Sequence, residues 1–153
     1  QAYVDKFDEY CAEGKVESVA FPESRRVLQE LAGKGDIAVY SSGTDKSISA
    51  MLEQSGLSDL VTDGRLVIPL GRLENIQKTD PKAFTLLKQY LKENGFETQT
   101  YTDDTPDIVL AAVKSATGIP RIYHIDRKAG LSAAEPKEGY IKIASLDQMK
   151  ELR

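Results

Sequence analysis

Short apolar runs alternate with segments of helical periodicity along most of this chain, and the alternation restricts the fold. The runs at residues 37–40, 98–102, 121–125 and 140–143 are rich in β-branched, aliphatic and aromatic residues and are bounded by turn residues, as is typical of strands. Strands that alternate with helices are joined by crossovers and lie parallel to one another. The sequence therefore predicts an α/β fold in which a doubly wound parallel sheet carries helices on both faces.

The predicted helices are located by their start and stop signals. Residues 2–13 form an amphipathic segment whose apolar positions are Tyr3, Val4, Phe7, Tyr10 and Cys11. Later helices are expected to begin near Pro22, at Thr44 or Asp45, at Pro81, after Asp107 and after a cap at Ser145, with stops near Gly33, Gly56, Asn94 and Gly118. Residues 57–76 are expected to form a loop with one short strand at residues 66–68.

Composition limits the class of protein. A chain of 153 residues that is 41% hydrophobic and 29% charged is large enough for one core, so we expect a single soluble domain. The net charge of -4 comes from interspersed acidic and basic residues, which disfavours a nucleic-acid surface. A small anionic substrate remains compatible with this charge, since one well-placed lysine can hold a phosphate. The oligomeric state stays open.

The sequence offers little for disulfide bonds, zinc binding or membrane insertion. Cys11 is the only cysteine and His124 the only histidine, so a disulfide within the chain and a Cys/His zinc cluster are excluded. No apolar run approaches the length of a membrane span, and the charged first residues differ from a secretory signal. We therefore expect a cytoplasmic protein with no membrane partner.

Polar clusters follow two of the predicted strands, and a lysine precedes the helix that lies between them in sequence. In parallel sheets, ligands bind at the carboxyl ends of strands. Hydroxyl and backbone N–H groups at a helix start can hold a phosphoryl oxygen, a lysine can neutralise its charge, and clustered carboxylates can hold Mg²⁺. Together these groups predict a phosphoryl-transfer site. The candidate residues are Ser41, Ser42, Gly43 and Thr44 after the first strand, Lys78 before the helix, and Asp103, Asp104 and Asp107 after the later strand.

Each of these features also has a structural interpretation. A Ser-Ser-Gly-Thr run between strand and helix is commonly a turn with a cap, and paired aspartates are favoured at helix starts without any metal. Lys78 alone would be an ordinary surface lysine. The order and placement of all three features along one chain favour the site over three unrelated turns.

The same residues resemble the motifs of haloacid dehalogenase (HAD) superfamily phosphatases. The second motif of that superfamily, an apolar strand ending in Ser or Thr, is similar to residues 37–41, and its Lys-Pro-x-Pro-x-x-Phe motif is similar to residues 78–84 except at Thr79. Its acidic motif resembles residues 101–107, with the sequence YTDDTPD. The similarity extends from about Phe21 to the end of the chain.

The resemblance implies a role for each candidate residue. Ser41 and Lys78 would be the catalytic residues, the first hydrogen-bonding the transferring phosphoryl group and the second balancing its charge, with Ser42 and Gly43 in the substrate-binding loop. Asp103 would bind Mg²⁺ directly or through water, with support from Asp104 and Asp107. The substrate would be a phosphate ester of a small metabolite.

The first motif of these enzymes, Asp-x-Asp followed by x-Thr or x-Ser, is absent. Asp5 and Asp8 have the wrong spacing and lie on a predicted helix. The resemblance therefore implies that the aspartyl-phosphate forms on an aspartate upstream of this chain, on a strand between those ending at Ser41 and Asp103. We expect residues 1–20 to be the remnant of a small helical cap and residues 21–153 to be a HAD-like core lacking its first strand. Alone, the chain is expected to be inactive.

Three alternatives stay open. A 2-haloacid dehalogenase is the main rival within the superfamily, but it needs no metal and usually lacks a comparable acidic pair. Enolase-phosphatases resemble the chain at residues 40–44, 102–103 and 129–131. A non-catalytic HAD-like interaction module would account directly for the missing nucleophile.

Overall fold

The computed structural model describes residues 6, 8–11, 13–15, 17–115 and 118–152. The chain divides into two compact units, Gln1–Asn75 and Ile76–Arg153. Each unit has a sheet of its own. The predicted boundary between a cap remnant at residues 1–20 and a core at residues 21–153 stays a prediction.

The first unit is built on a short parallel sheet. Helix α1 (Ser24–Ala32) is followed by β1 (Val39–Ser41), helix α2 (Asp45–Gln54) and β2 (Val67–Pro69). Strands β1 and β2 pair in parallel, with Val39 opposite Val67. The buried hydrophobic side chains among the described residues of this unit are Cys11, Val27, Ile48, Leu66, Ile68, Leu70 and Leu73. Residues 6 and 8–11 are helical, as predicted, while Tyr3, Val4 and Phe7 lie outside the described residues.

The second unit contains the longer sheet. Its elements are α3 (Pro81–Glu93), β3 (Thr100–Asp103), α4 (Pro106–Lys114), β4 (Arg121–Ile125), β5 (Glu135–Pro136) and β6 (Ile141–Ile143). The strand order is β3-β4-β6-β5, so β3 is an edge strand within the described residues. Strands β3, β4 and β6 are parallel, and α3 packs on α4, which packs on β3 and β4. The parallel α/β class predicted from the sequence is confirmed at this level.

Two features of the second unit correct the sequence-based expectation. Strand β5 was not predicted, and it pairs antiparallel with β6, because residues 137–140 form a tight turn in which Lys137 N–H donates to the Tyr140 carbonyl over 2.9 Å. Such a turn joins only antiparallel strands. The closing helix predicted after Ser145 is instead two 3₁₀ turns, Leu146–Gln148 and Lys150–Leu152. Met149 between them has extended backbone geometry, which interrupts the helix.

The last turn is bound to β3 and β4 through Glu151. Its carboxylate accepts hydrogen bonds from Thr100 Oγ1 and from the Tyr123 hydroxyl, each over 2.7 Å. Arg121 Nη1 lies 3.3 Å from the same carboxylate. Burial opposes ionisation, but the hydrogen bonds from Thr100, Tyr123 and Arg121 outweigh it and lower the pKa of Glu151. This carboxylate therefore stabilises the end of the sheet remote from Asp103.

Substituting Glu151 with Gln is expected to lower the stability of the fold in a pH-dependent way. Because folding lowers the pKa of Glu151 below its ordinary value of 4.5, the stabilisation is fully present above that pH and is lost as the pH falls through the folded-state pKa. Urea unfolding at a series of pH values should show a constant difference between wild type and Glu151→Gln near neutrality that shrinks in acid. A difference that stays constant down to the acid limit would contradict the assignment.

Among the described residues, no helix combines the length and the apolar character needed to cross a membrane.

Candidate functional site

Strand β3 ends at a carboxylate that is held by three donors. Asp103 Oδ2 accepts hydrogen bonds from Lys78 Nζ over 2.6 Å and from the Tyr101 hydroxyl over 2.7 Å. The other oxygen, Oδ1, accepts from the Thr105 N–H over 3.0 Å. Successive side chains of a strand point to opposite faces, so Tyr101 and Asp103, two residues apart, lie on the same face.

The turn before α3 brings Lys78 to this carboxylate. Asp80 caps the helix through the Lys82 N–H, and Pro81 occupies the first turn, as the sequence predicted. The side chains of Lys78 and Asp103 are each only 9% exposed. Lys82, one helical turn further, is exposed as predicted. The position of the helix start therefore explains why Lys78 is buried whereas Lys82, four residues later, is exposed.

Aromatic rings enclose the ion pair on one side. Lys78 Nζ lies 5.8 Å from the centre of the Tyr101 ring. The Tyr101 ring packs edge to face against Phe84, with ring centres 4.9 Å apart. Phe84 itself is fully buried in α3, so it fixes the position of the Tyr101 ring.

The Asp103 carboxyl is ionised despite its burial. Desolvation raises its pKa, but hydrogen bonds from Lys78, Tyr101 and Thr105, together with the charge of Lys78, outweigh that effect and hold the pKa below its ordinary value. An anion and a cation therefore lie side by side at the carboxyl end of a parallel strand.

Asp104 and Asp107, the other candidate metal ligands, are exposed. The Thr105 hydroxyl donates to Asp104 Oδ1 over 3.3 Å, and Asp107 lies in the first turn of α4. Within the described parts of the chain, no group of three or more His, Cys, Asp or Glu side chains is arranged to hold a metal ion. Mg²⁺ commonly takes only one or two protein carboxylates and keeps several waters, so the donor chemistry of Asp103 with Asp104 fits this ion. The Mg²⁺ site stays a prediction.

In the first unit, the loop after β1 has a defined structural role. Thr44 caps α2 by accepting from the Ser47 N–H over 3.2 Å, and Ser47 Oγ accepts from the Thr44 N–H over 3.0 Å. The Thr44 hydroxyl also donates to Asp8 Oδ1 over 2.6 Å. A side chain at Gly43 would place its Cβ 2.8 Å from Ser47 Oγ, so the close packing of the loop requires glycine there.

Ser41 and Ser42 complete this loop. Ser41 Oγ accepts from the Gly43 N–H over 3.1 Å, and the Ser41 side chain lines a shallow groove with Val39, Ile48 and Met51. Ser42 is exposed. Of the three residues predicted to converge, the structure brings Lys78 and Asp103 together in the second unit. The predicted approach of Ser41 to that pair stays a prediction.

The sequence matches no protein-family model and no curated protein. The solved structures similar to it include a dehalogenase, with a TM-score of 0.62 and 20% identity, and a dehalogenase with an intermediate complex, with a TM-score of 0.64 and 21% identity. The fold resembles that of these dehalogenases. Each similarity covers 86% of this chain and 55% of the solved one, so the chain spans about half the length of these proteins. At such identity the likeness concerns the fold alone.

The polar cluster of each unit follows a parallel strand. Strand β1 ends at Ser41 and strand β3 ends at Asp103, and both are parallel strands whose carboxyl ends are the usual place for ligands in open α/β sheets. Lys78 belongs to the segment that leads into α3. The roles that the three sequence motifs imply for these residues stay predictions.

Sequence reasoning missed Tyr101 as a member of the site. The sequence position of Tyr101 could have indicated this role, because residues two apart on a strand share a face. A tyrosine hydroxyl beside a carboxylate can donate a hydrogen bond to it. Only the side-chain direction at the strand end shows that its hydroxyl and Lys78 meet at the same oxygen of Asp103.

Proposed function

We propose that the intact protein is a HAD-type hydrolase, a Mg²⁺-dependent phosphatase that acts on a small phosphorylated metabolite. The observation that carries the proposal is the nearly buried Lys78–Asp103 ion pair at the carboxyl end of β3. Removing two charges from water is costly, and a buried ion pair often stabilises a fold less than apolar residues of similar volume would. A buried pair at a strand end is therefore better explained by a role in binding than by stability.

Lys78 supplies the positive charge that a phosphate ester requires. An ammonium group has three N–H donors, so it can begin to donate to a phosphoryl oxygen before it moves away from Asp103. Charge-assisted hydrogen bonds of this kind are about twice as strong as neutral ones. Preorganised in a partly desolvated position, the ammonium would stabilise the charge that develops on the phosphoryl oxygens during transfer.

Asp103, with Asp104 or Asp107 in support, would hold Mg²⁺. When bound, the metal would offset the repulsion between an anionic nucleophile and the incoming phosphate. Thr105 N–H and Tyr101 orient the Asp103 carboxylate, which would fix the direction in which it presents its oxygens.

The remaining groups come from the loop after β1 and from outside the chain. Ser41, with Ser42 and the backbone at Gly43, would hydrogen-bond the phosphoryl group. The nucleophile would be an aspartate upstream of Gln1, which would form an aspartyl-phosphate that water then hydrolyses. The chain itself is proposed to supply charge balance, metal binding and positioning.

The similarity to two dehalogenases supports a second candidate. A dehalogenase releases halide from a carbon atom and has no need to hold Mg²⁺, so a metal-binding acidic pair after β3 would have no function in it. The buried anion of Asp103 beside Asp104 favours the phosphatase.

The discriminating experiment measures two products. This chain and a version extended upstream are each supplied with p-nitrophenyl phosphate and with 2-chloropropionate, in Mg²⁺ and in chelator. We expect Mg²⁺-dependent release of p-nitrophenol by the extended protein only. Halide release that is unaffected by chelator would instead establish the dehalogenase. An extended protein inactive on both substrates and on a broad panel of phosphate esters would favour a non-catalytic interaction module.

A further inference from the structure

We propose that Tyr101 is a positioning residue of this site, whose hydroxyl holds the Asp103 carboxylate in place so that Lys78 is available to an anion. The effect on phosphate rests on the proposed function, whereas the effect on Asp103 follows from the geometry alone. Nothing in the motif resemblance assigns a role to this residue.

The first step of the argument is that two donors share one acceptor atom. Lys78 Nζ and the Tyr101 hydroxyl lie 2.6 and 2.7 Å from Asp103 Oδ2. Thr105 N–H occupies Oδ1. Asp103 is therefore held by one charged donor and two neutral donors, and the neutral ones belong to its own strand and the turn that follows.

The second step is that the phenol is itself held. Its ring packs edge to face on Phe84 at 4.9 Å with an interplanar angle of 77°, and Phe84 is fully buried. A tyrosine ring fixed in this way delivers its hydroxyl to one place at little further cost in conformational entropy. The hydrogen bond to Asp103 is thus preorganised.

The third step concerns what happens when an anion approaches Lys78. If Lys78 were the sole side-chain donor to Asp103, moving the ammonium toward a phosphate would leave a nearly buried carboxylate without a side-chain partner, which is strongly unfavourable. With Tyr101 also donating, Asp103 keeps a partner while Lys78 shifts. The hydroxyl therefore lowers the cost of anion binding at Lys78.

A matched control exists on the neighbouring strand. Tyr123 on β4 also donates its hydroxyl to a carboxylate, Glu151 Oε2, over 2.7 Å, but that carboxylate belongs to the last turn and not to the candidate site. Tyr101→Phe and Tyr123→Phe each remove a single hydroxyl from a packed ring, and the Tyr123 hydroxyl also accepts from the Lys150 N–H over 3.1 Å, so Tyr123→Phe is at least as disruptive to the fold without touching Asp103.

The experiment uses the upstream-extended protein, with inorganic phosphate as the probe in the presence of Mg²⁺. Isothermal titration calorimetry should give a Kd for phosphate raised about tenfold in Tyr101→Phe, equivalent to about 1.4 kcal/mol, and unchanged within about twofold in Tyr123→Phe. Without phosphate, NMR spectra should show shifts of the Lys78 ammonium and Thr105 amide resonances in Tyr101→Phe only. Urea unfolding should show that both variants are folded.

The outcomes separate the two claims. Wild-type phosphate binding that Tyr101→Phe leaves unchanged would overturn the positioning role while leaving the proposed function intact. If the wild type binds no phosphate, the proposed function fails, and the ligand-free spectra decide the role of Tyr101 at Asp103. Unchanged Lys78 and Thr105 resonances would then overturn it, and shifted ones would support it.

Discussion

Replacing Lys78 with Ala in the intact enzyme is expected to lower kcat/KM for phosphate-ester hydrolysis at least tenfold, a loss of about 1.4 kcal/mol or more of transition-state stabilisation. Lys78 is 8% exposed and is bound to Asp103 over 2.6 Å, so its ammonium is preorganised where a phosphoryl group would arrive. Steady-state kinetics on p-nitrophenyl phosphate at saturating Mg²⁺ would measure the effect. Lys82→Ala is the matched control, because Lys82 is exposed on α3 and should matter little.

The reverse ranking of the two lysine variants would show that the lysine motif is misplaced. Removal of Lys78 also leaves Asp103 without its charged partner, so loss of activity has to be distinguished from loss of the fold. Tyr101 and Thr105 still donate to Asp103 in that variant, which should keep the domain folded. Circular dichroism and urea unfolding of both variants would check this.

Replacing Asp103 with Asn is expected to abolish Mg²⁺-dependent turnover in the intact enzyme, with a loss on the order of 100-fold or more, as for other groups that stabilise transition-state charge. Asn has nearly the same shape and keeps an oxygen that can accept from Tyr101 and Lys78. It lacks the negative charge that is proposed to bind Mg²⁺ and that balances Lys78. Turnover as a function of Mg²⁺ concentration would show whether affinity or maximal rate is lost.

Asp63→Asn is the control for this substitution. Asp63 caps a short 3₁₀ turn and pairs with Arg65 over 2.6 Å, and none of the three sequence motifs includes it. Its loss should leave the Mg²⁺ dependence unchanged. Equal losses in the two variants, or full activity of Asp103→Asn, would contradict the assignment of the metal to the end of β3.

The helix starts and one strand could be predicted well from local sequence. Thr44 is the N-cap of α2 and Pro81 lies in the first turn of α3, the positions that their chemistry favours. Strand β4 has the predicted bounds of Arg121–Ile125. The runs at residues 37–40 and 98–102 gave strands displaced toward their carboxyl ends, β1 and β3. An apolar run predicts burial, whereas a strand forms only where a partner strand pairs with it. The length of β1 is therefore set by the three residues of β2 with which it pairs.

Only part of the cluster around Asp103 could be predicted from the sequence. Lys78 and Asp103 were expected to lie close together because both stand at element ends, and the structure joins them although 25 residues separate the two. The hydroxyl of Tyr101 and the carboxylate of Glu151 were missed. Glu151 meets Thr100 across 51 residues, a contact that depends on how the last turn folds back on the sheet, and no local pattern encodes it.

Because Lys78 and Tyr101 donate to the same oxygen of Asp103, the stability of the ligand-free fold and the affinity for a ligand depend on the same contact. In the ligand-free state, Lys78 and Tyr101 together satisfy a carboxylate that is 9% exposed. A cation recruited by Asp103 or an anion recruited by Lys78 must weaken that same contact, so ligand affinity is reduced by whatever the pair contributes to folding. Selection for a more rigid ion pair would therefore oppose selection for tighter binding, a trade-off seen wherever functional polar groups are enclosed by a protein core.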